Sequence, residues 1–156
     1  MIRPGVIILI FVAAATATIA PAGPVCATLG EPAASVEADR TAYQAIRRTV
    51  PFRTGYSVQE IVSDAATIRE YVSPDGTVFG VAWNGLTHPD LRPLLGAFYD
   101  EYRQVRQQTP REPGRRFLHL HGARIVVEKW GHMRDLRGRA YVPSLVPSGV
   151  DTDEIK

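Results

Sequence analysis

Hydrophobic positions recur along this chain with two different periods, and the switches between them mark its elements. Over 56–62, 67–72 and 77–83, apolar, β-branched and aromatic residues come in short runs bounded by turn formers, which predicts three strands. Ser73-Pro74-Asp75-Gly76 separates the last two. Proline presets one backbone angle there, aspartate caps the turn and glycine accepts the left-handed position, so the pair reads as a hairpin. In the third strand Phe79, Val81 and Trp83 alternate onto one face, and the smaller Val78, Gly80 and Ala82 onto the other. From Asp90 the period lengthens. Leu91, Leu94, Leu95, Phe98, Tyr99, Tyr102 and Val105 fall on one helical face, with Arg92, Asp100, Arg103 and Gln107 opposite. Asp90 is placed to cap this helix, and Pro93 is tolerated in its first turn. After a loop over 109–116, strand patterning returns over 117–130 and 133–142 around a turn at Gly131, with Gly122 and Gly138 as bulge positions. Upstream, Asp39 predicts the cap of a short helix over 40–48, with Tyr43 and Ile46 inward and Pro51 ending it.

Runs of strands on either side of one long amphipathic helix predict an α+β fold: a small antiparallel sheet of about five strands with that helix packed on one face. The strand order is open. The expected organisation is a cleavable signal peptide at 1–27, a flexible leader at 28–40, one domain at 41–147 and an exposed tail at 148–156.

The signal peptide follows from three features in order: a positive start at Arg3, an apolar run from Val6 to Ala20, and Val25-Cys26-Ala27 after Pro21, Gly23 and Pro24. The apolar run is shorter than the ~20 residues of a membrane-spanning helix, so no transmembrane anchor is expected once the signal is removed. Cys26 fits a lipoprotein signal poorly, since Val25 stands where a small residue is wanted. Cleavage after Ala27 leaves a mature chain without cysteine, which excludes disulfides, C-x-x-C chemistry and thiolate zinc sites. A periplasmic or secreted location is the expectation.

By this point several strings have accumulated: Arg69-Glu70-Tyr71-Val72, Gly76 to Gly85, Pro89-Asp90-Leu91, Leu94-Leu95-Gly96, Gly131-His132-Met133 and Gly138 to Pro143, together with Leu29-Gly30. In this order and spacing they resemble bacterial exported proteins grouped as domain-of-unknown-function family 2844. The resemblance implies an envelope or secreted protein of a Gram-negative bacterium, and it brings no activity, cofactor or catalytic residue. The chain departs from the family pattern over 111–121, where its arginine and histidine content is individual.

Charge alters this picture more than composition does. The net charge is only +2, which does not point to nucleic acid, and export argues against it as a partner. Yet the segment from Arg103 to Arg139 holds ten basic residues against three acidic ones, so the remainder is net acidic. Arginines fork onto phosphates and carboxylates. Arg115, Arg116, Arg124, Arg134 and Arg139 are therefore candidate binding residues for an anionic envelope component or an acidic protein, with Trp83 as a candidate ligand-facing aromatic at a sheet end. His119 and His121 are two apart on a predicted strand and would point the same way, as in sheet-borne zinc sites. A third ligand would have to come from His88, His132 or a carboxylate. No G-x-S-x-G string or phosphate loop is present. The sequence thus favours a non-enzymatic binding or envelope accessory protein that needs no cofactor. The alternative is a small histidine- or metal-dependent enzyme or ligand carrier.

Overall fold

In the computed structural model, residues 29–32, 46–53, 55–110 and 116–156 are described. Seven strands form one antiparallel sheet: β1 (Ile46–Arg53), β2 (Tyr56–Val62), β3 (Ala66–Val72), β4 (Val78–Gly85), β5 (Leu118–His121), β6 (Val126–His132) and β7 (Asp135–Tyr141). Their order across the sheet is β1-β2-β3-β4-β7-β6-β5. The first four strands form a meander. The chain then leaves along a helical segment, returns at the far edge as β5, and meanders back until β7 pairs with β4. The α+β class stands, with more strands than the expected five.

The two extra strands lie at 46–53 and within 117–130. The sequence 46–48, expected in a helix, belongs to edge strand β1, which pairs with β2 from Ile46↔Val62 onward. Residues 39–45 of that expected helix lie outside the described residues. Pro51 sits where the β1–β2 register shifts, a position in an edge strand where a missing N–H is tolerated. The single strand expected over 117–130 is a hairpin, because 122–125 turn the chain between β5 and β6 and Gly122 donates to the Ile125 carbonyl at 2.8 Å.

The helical segment is also jointed. Helix α1 (Leu91–Leu95) starts at Asp90, whose carboxylate accepts from the Arg92 amide at 2.9 Å. It ends at Gly96, φ 43°, and a 3-10 turn (Gly96–Phe98) leads into α2 (Tyr99–Gln108). The apolar stripe nonetheless faces the sheet as expected. Leu91, Leu94 and Leu95 are buried and Phe98, Tyr99, Tyr102 and Val105 pack beside them, against Ile68, Val81, Trp83, Leu120, Val127 and Ala140.

Strand β4 does not keep simple alternation. Its pairing with β3 slips between Tyr71 and Val72, so Phe79 is an extra residue. Val78, Val81 and Trp83 face the helix, while Phe79 and Ala82 face the other side with Tyr56, Tyr71 and Ile155. The expected grouping of Phe79 with Val81 and Trp83 is thereby broken by a bulge.

Both ends of the domain dock. Leu29 is buried in the helix-side core, and Gly30 donates to the Val78 carbonyl at 2.8 Å, so 29–32 are not the flexible leader expected there. The expected exposed tail covers the second face. Ile155 is fully buried against Phe79 and Ala82, and Tyr71 Oη donates to the Lys156 carbonyl at 2.9 Å. Signal residues 1–27 lie outside the described residues. Among the described residues, no helix is long and apolar enough to cross a membrane.

Candidate functional site

Among the described residues, the basic side chains of the C-terminal half do not form one patch. They sort by whether a carboxylate neutralises them. Arg124 Nε is 3.0 Å from Glu101 Oε2, and its guanidinium lies over the Phe98 ring. Arg137 pairs with Asp135 at 2.9 Å. Arg139, with a side chain only 14% exposed, pairs with buried Glu128 and reaches Asp153 at 3.1 Å. Burial opposes the charge of Arg139, but the two carboxylates outweigh it and push its pKa up. Arg134 is exposed in the β6–β7 turn at φ 70°. Arg115 lies outside the described residues. Of the four proposed arginines among the described residues, Arg116 lines a cleft, and Arg139 is largely buried in its ion pairs.

That cleft, about 290 Å³, opens between α2 and the outer strands β5 and β6. Arg106 of α2, Arg116 just before β5 and Lys129 of β6 line it, with Tyr102, Phe117, Trp130 and His88. Among the described residues no acidic side chain lines it, and no carboxylate pairs with any of the three cations. Lys129 Nζ donates to Tyr102 Oη at 3.1 Å and lies over that ring. Alternation explains the placement. Lys129 follows Val127 on the helix face of β6, and Tyr102 and Arg106 are one turn apart on α2.

Trp83 sits within the core rather than at an open sheet end. It is 2% exposed in the core, and its indole N–H donates to His88 Nδ1 at 3.0 Å. An indole can only donate, so the His88 ring is neutral with its proton on Nε2. Burial, and secondarily the charge of Lys129, holds its pKa below the ordinary 6.5.

His119 and His121 do project from the same face of β5, their rings 6.3 Å apart and 12° from parallel. Phe117 stacks on His119 at 4.1 Å and on Trp130 at 6.0 Å, giving a row of four planar groups. His119 Nδ1 is engaged by Glu128 Oε1 at 2.9 Å. Of the third ligands considered, neither histidine joins them, since His88 is on the helix side of the sheet and His132 ends β6 far along the strand, and the carboxylate that does meet His119, that of Glu128, is also paired with Arg139. Among the described residues, no group of three histidines, cysteines or carboxylates is placed to hold a metal ion.

The fold and cleft define an α+β domain with a cationic, aromatic-walled recess at one end of its sheet. The chain belongs to the family described as protein of unknown function DUF2844, whose model matches residues 25–155. No curated protein and no solved structure matches it.

Arg106, Lys129 and Tyr102 were not among the binding residues chosen from the sequence, and His88 entered there only as a possible third metal ligand. The first two were visible as members of the basic segment. What selects them is the absence of a neighbouring carboxylate, which depends on strand pairing rather than on linear order.

Proposed function

We propose that the mature chain is an exported, periplasmic or secreted, non-enzymatic binding or envelope accessory protein that holds an anionic component or acidic partner in the cleft of Arg106, Arg116 and Lys129. The observation that carries this reading is the pairing pattern. Arg69, Arg124, Arg137 and Arg139 are matched to carboxylates, whereas the cleft gathers three cations and, among the described residues, no acid. Gathering like charges is costly unless a counter-charge arrives, so such a recess favours an anion. Tyr102, Leu118 and Leu136 offer apolar area for the rest of that ligand. Export is supported by the signal pattern at 1–27.

The test is capture of partners from an envelope fraction on the mature protein at low and moderate salt, alongside the Arg106→Glu/Arg116→Glu variant. A partner lost with rising salt and absent on the variant supports the reading. A partner retained equally by the variant places binding elsewhere.

A further inference from the structure

The hydrogen-bonding inventory of the cleft is one-sided. Guanidinium groups donate and cannot accept, and so does an ammonium. Arg106, Arg116 and Lys129 therefore present donors only. The remaining polar groups have had their acceptors used. Tyr102 Oη already accepts from Lys129, which leaves its O–H to donate. His88 Nδ1 already accepts from Trp83, which leaves the Nε2–H. Five side chains thus line one small recess with donors, and three of them carry full charge.

A matching ligand group must be all acceptor and more than singly charged. A carboxylate offers two oxygens and one charge, and satisfies such a set incompletely. A phosphate monoester offers three terminal oxygens and a charge near −1.5 to −2 at neutral pH. The Tyr102 ring, with the aliphatic wall of Leu118 and Leu136, leaves room beside the donors for a carbon skeleton. A volume of about 290 Å³ suits one ring-sized unit.

We propose that this cleft recognises a terminal phosphate monoester on a ring-sized unit, either free in solution or carried at a lipid surface. The proposal rests on the anion-binding reading above and names the chemistry of its ligand.

The experiment uses the mature chain with glucose 6-phosphate, glucuronate and glucose as soluble probes, and vesicles with and without phosphatidylinositol 4-phosphate as the surface probe. Binding is read by calorimetry, by tryptophan fluorescence and by vesicle sedimentation. The expected result is binding of glucose 6-phosphate at least tenfold tighter than glucuronate, with no binding of glucose. Arg106→Gln and Arg116→Gln should each weaken it about tenfold or more, the scale of a lost charge-assisted hydrogen bond. Arg103→Gln, on the solvent face of the same helix, removes the same charge and should change it less than twofold. Circular dichroism and thermal melts of each variant establish that it is folded. Vesicle binding that requires Arg106 and Arg116 identifies a lipid-borne source, and binding of the soluble phosphate alone identifies a free one. Glucuronate binding as tightly as glucose 6-phosphate overturns the phosphate inference while leaving an anion site. Failure of every anion, or equal losses in Arg103→Gln and the cleft variants, overturns both.

Discussion

Gly138 of β7 lies directly beneath the indole of Trp83 on β4: a Cβ at 138 would stand 2.3 Å from Cζ2 and 2.8 Å from the Glu128 carbonyl. The indole fills the space that a side chain at 138 would take. Because one obstacle is a fully packed ring and the other is backbone, neither can yield cheaply. Gly138→Ala is expected to destabilise the domain by about 1–3 kcal/mol, the usual cost of overpacking. Urea unfolding followed by tryptophan fluorescence measures this, and a variant as stable as its parent contradicts it.

The same indole sets a pH dependence. His88 is neutral when folded, and its pKa is depressed by burial first and by Lys129 second. An imidazole depressed by folding contributes stability above its unfolded value of 6.5 and loses it as pH falls through the folded value. Unfolding free energy should therefore drop between about pH 7.5 and about pH 5.5 more steeply in the wild type than in His88→Gln, which retains an acceptor for Trp83 but does not titrate. Parallel curves would show that His88 is not held neutral.

Local pattern revealed much of this fold. The Ser73–Gly76 hairpin, the Asp90 cap and the apolar stripe from Leu91 to Val105 depend on near neighbours, and all are as expected. What escaped depends on distant partners. Ile46, Thr49 and Val50 form a strand because β2 is there to pair with them, whatever the helical spacing of Tyr43 and Ile46 suggests. Phe79 changes face through a bulge that one sequence cannot announce. The binding surface was half legible: a basic segment was plain, but Arg124, Arg137 and Arg139 are neutralised by Glu101, Asp135 and Glu128, two of them brought close only by folding. Arg116 is left to the cleft.

Glu101 ties the helical segment to the β5–β6 turn. Its carboxylate accepts from the Arg124 amide at 2.7 Å and from Arg124 Nε at 3.0 Å. Burial opposes ionisation, but the Arg124 backbone and side chain outweigh it and hold the pKa below 4.5. That stabilisation is present above the unfolded value and lost as pH falls through the folded one. Gly122 makes room, since a Cβ there would stand 2.4 Å from Glu101 Oε1. Glu101→Ala should cost about 1.5–3 kcal/mol. Gly122→Ala should cost less in the Glu101→Ala background than alone, because most of its clash is gone. A double-mutant cycle measures the coupling, and strict additivity would separate the two residues.

Ile155 anchors the end of the domain. It is fully buried on the face away from the helix, with Cδ1 only 3.0 Å from where a Cβ of Gly80 would be. Ile155→Ala is expected to cost about 2–5 kcal/mol, as for a core residue. An effect under about 0.5 kcal/mol, the range of surface substitutions, would restore the picture of a solvated tail.

Arg139 joins that segment to the sheet and so makes a sharper test. On one face of adjacent strands, Arg139 pairs with Glu128, and Glu128 with His119. From β7 the same guanidinium donates to the Thr152 carbonyl at 2.7 Å and to Asp153 at 3.1 Å. With Arg139 14% and Glu128 7% exposed, both charges are largely withdrawn from water. Removing one partner of such a pair leaves the other uncompensated, so Arg139→Met should destabilise by about 3–5 kcal/mol. Removing both is different, because the desolvation cost of Glu128 disappears with it. Arg139→Met/Glu128→Leu should recover a large part of the loss, though not the contacts to Thr152 and Asp153. If the double variant is as unstable as the sum of the singles, the cost lies in the docked C-terminal segment rather than in the buried carboxylate. Proteolytic susceptibility of 151–156 in Arg139→Met distinguishes the two directly.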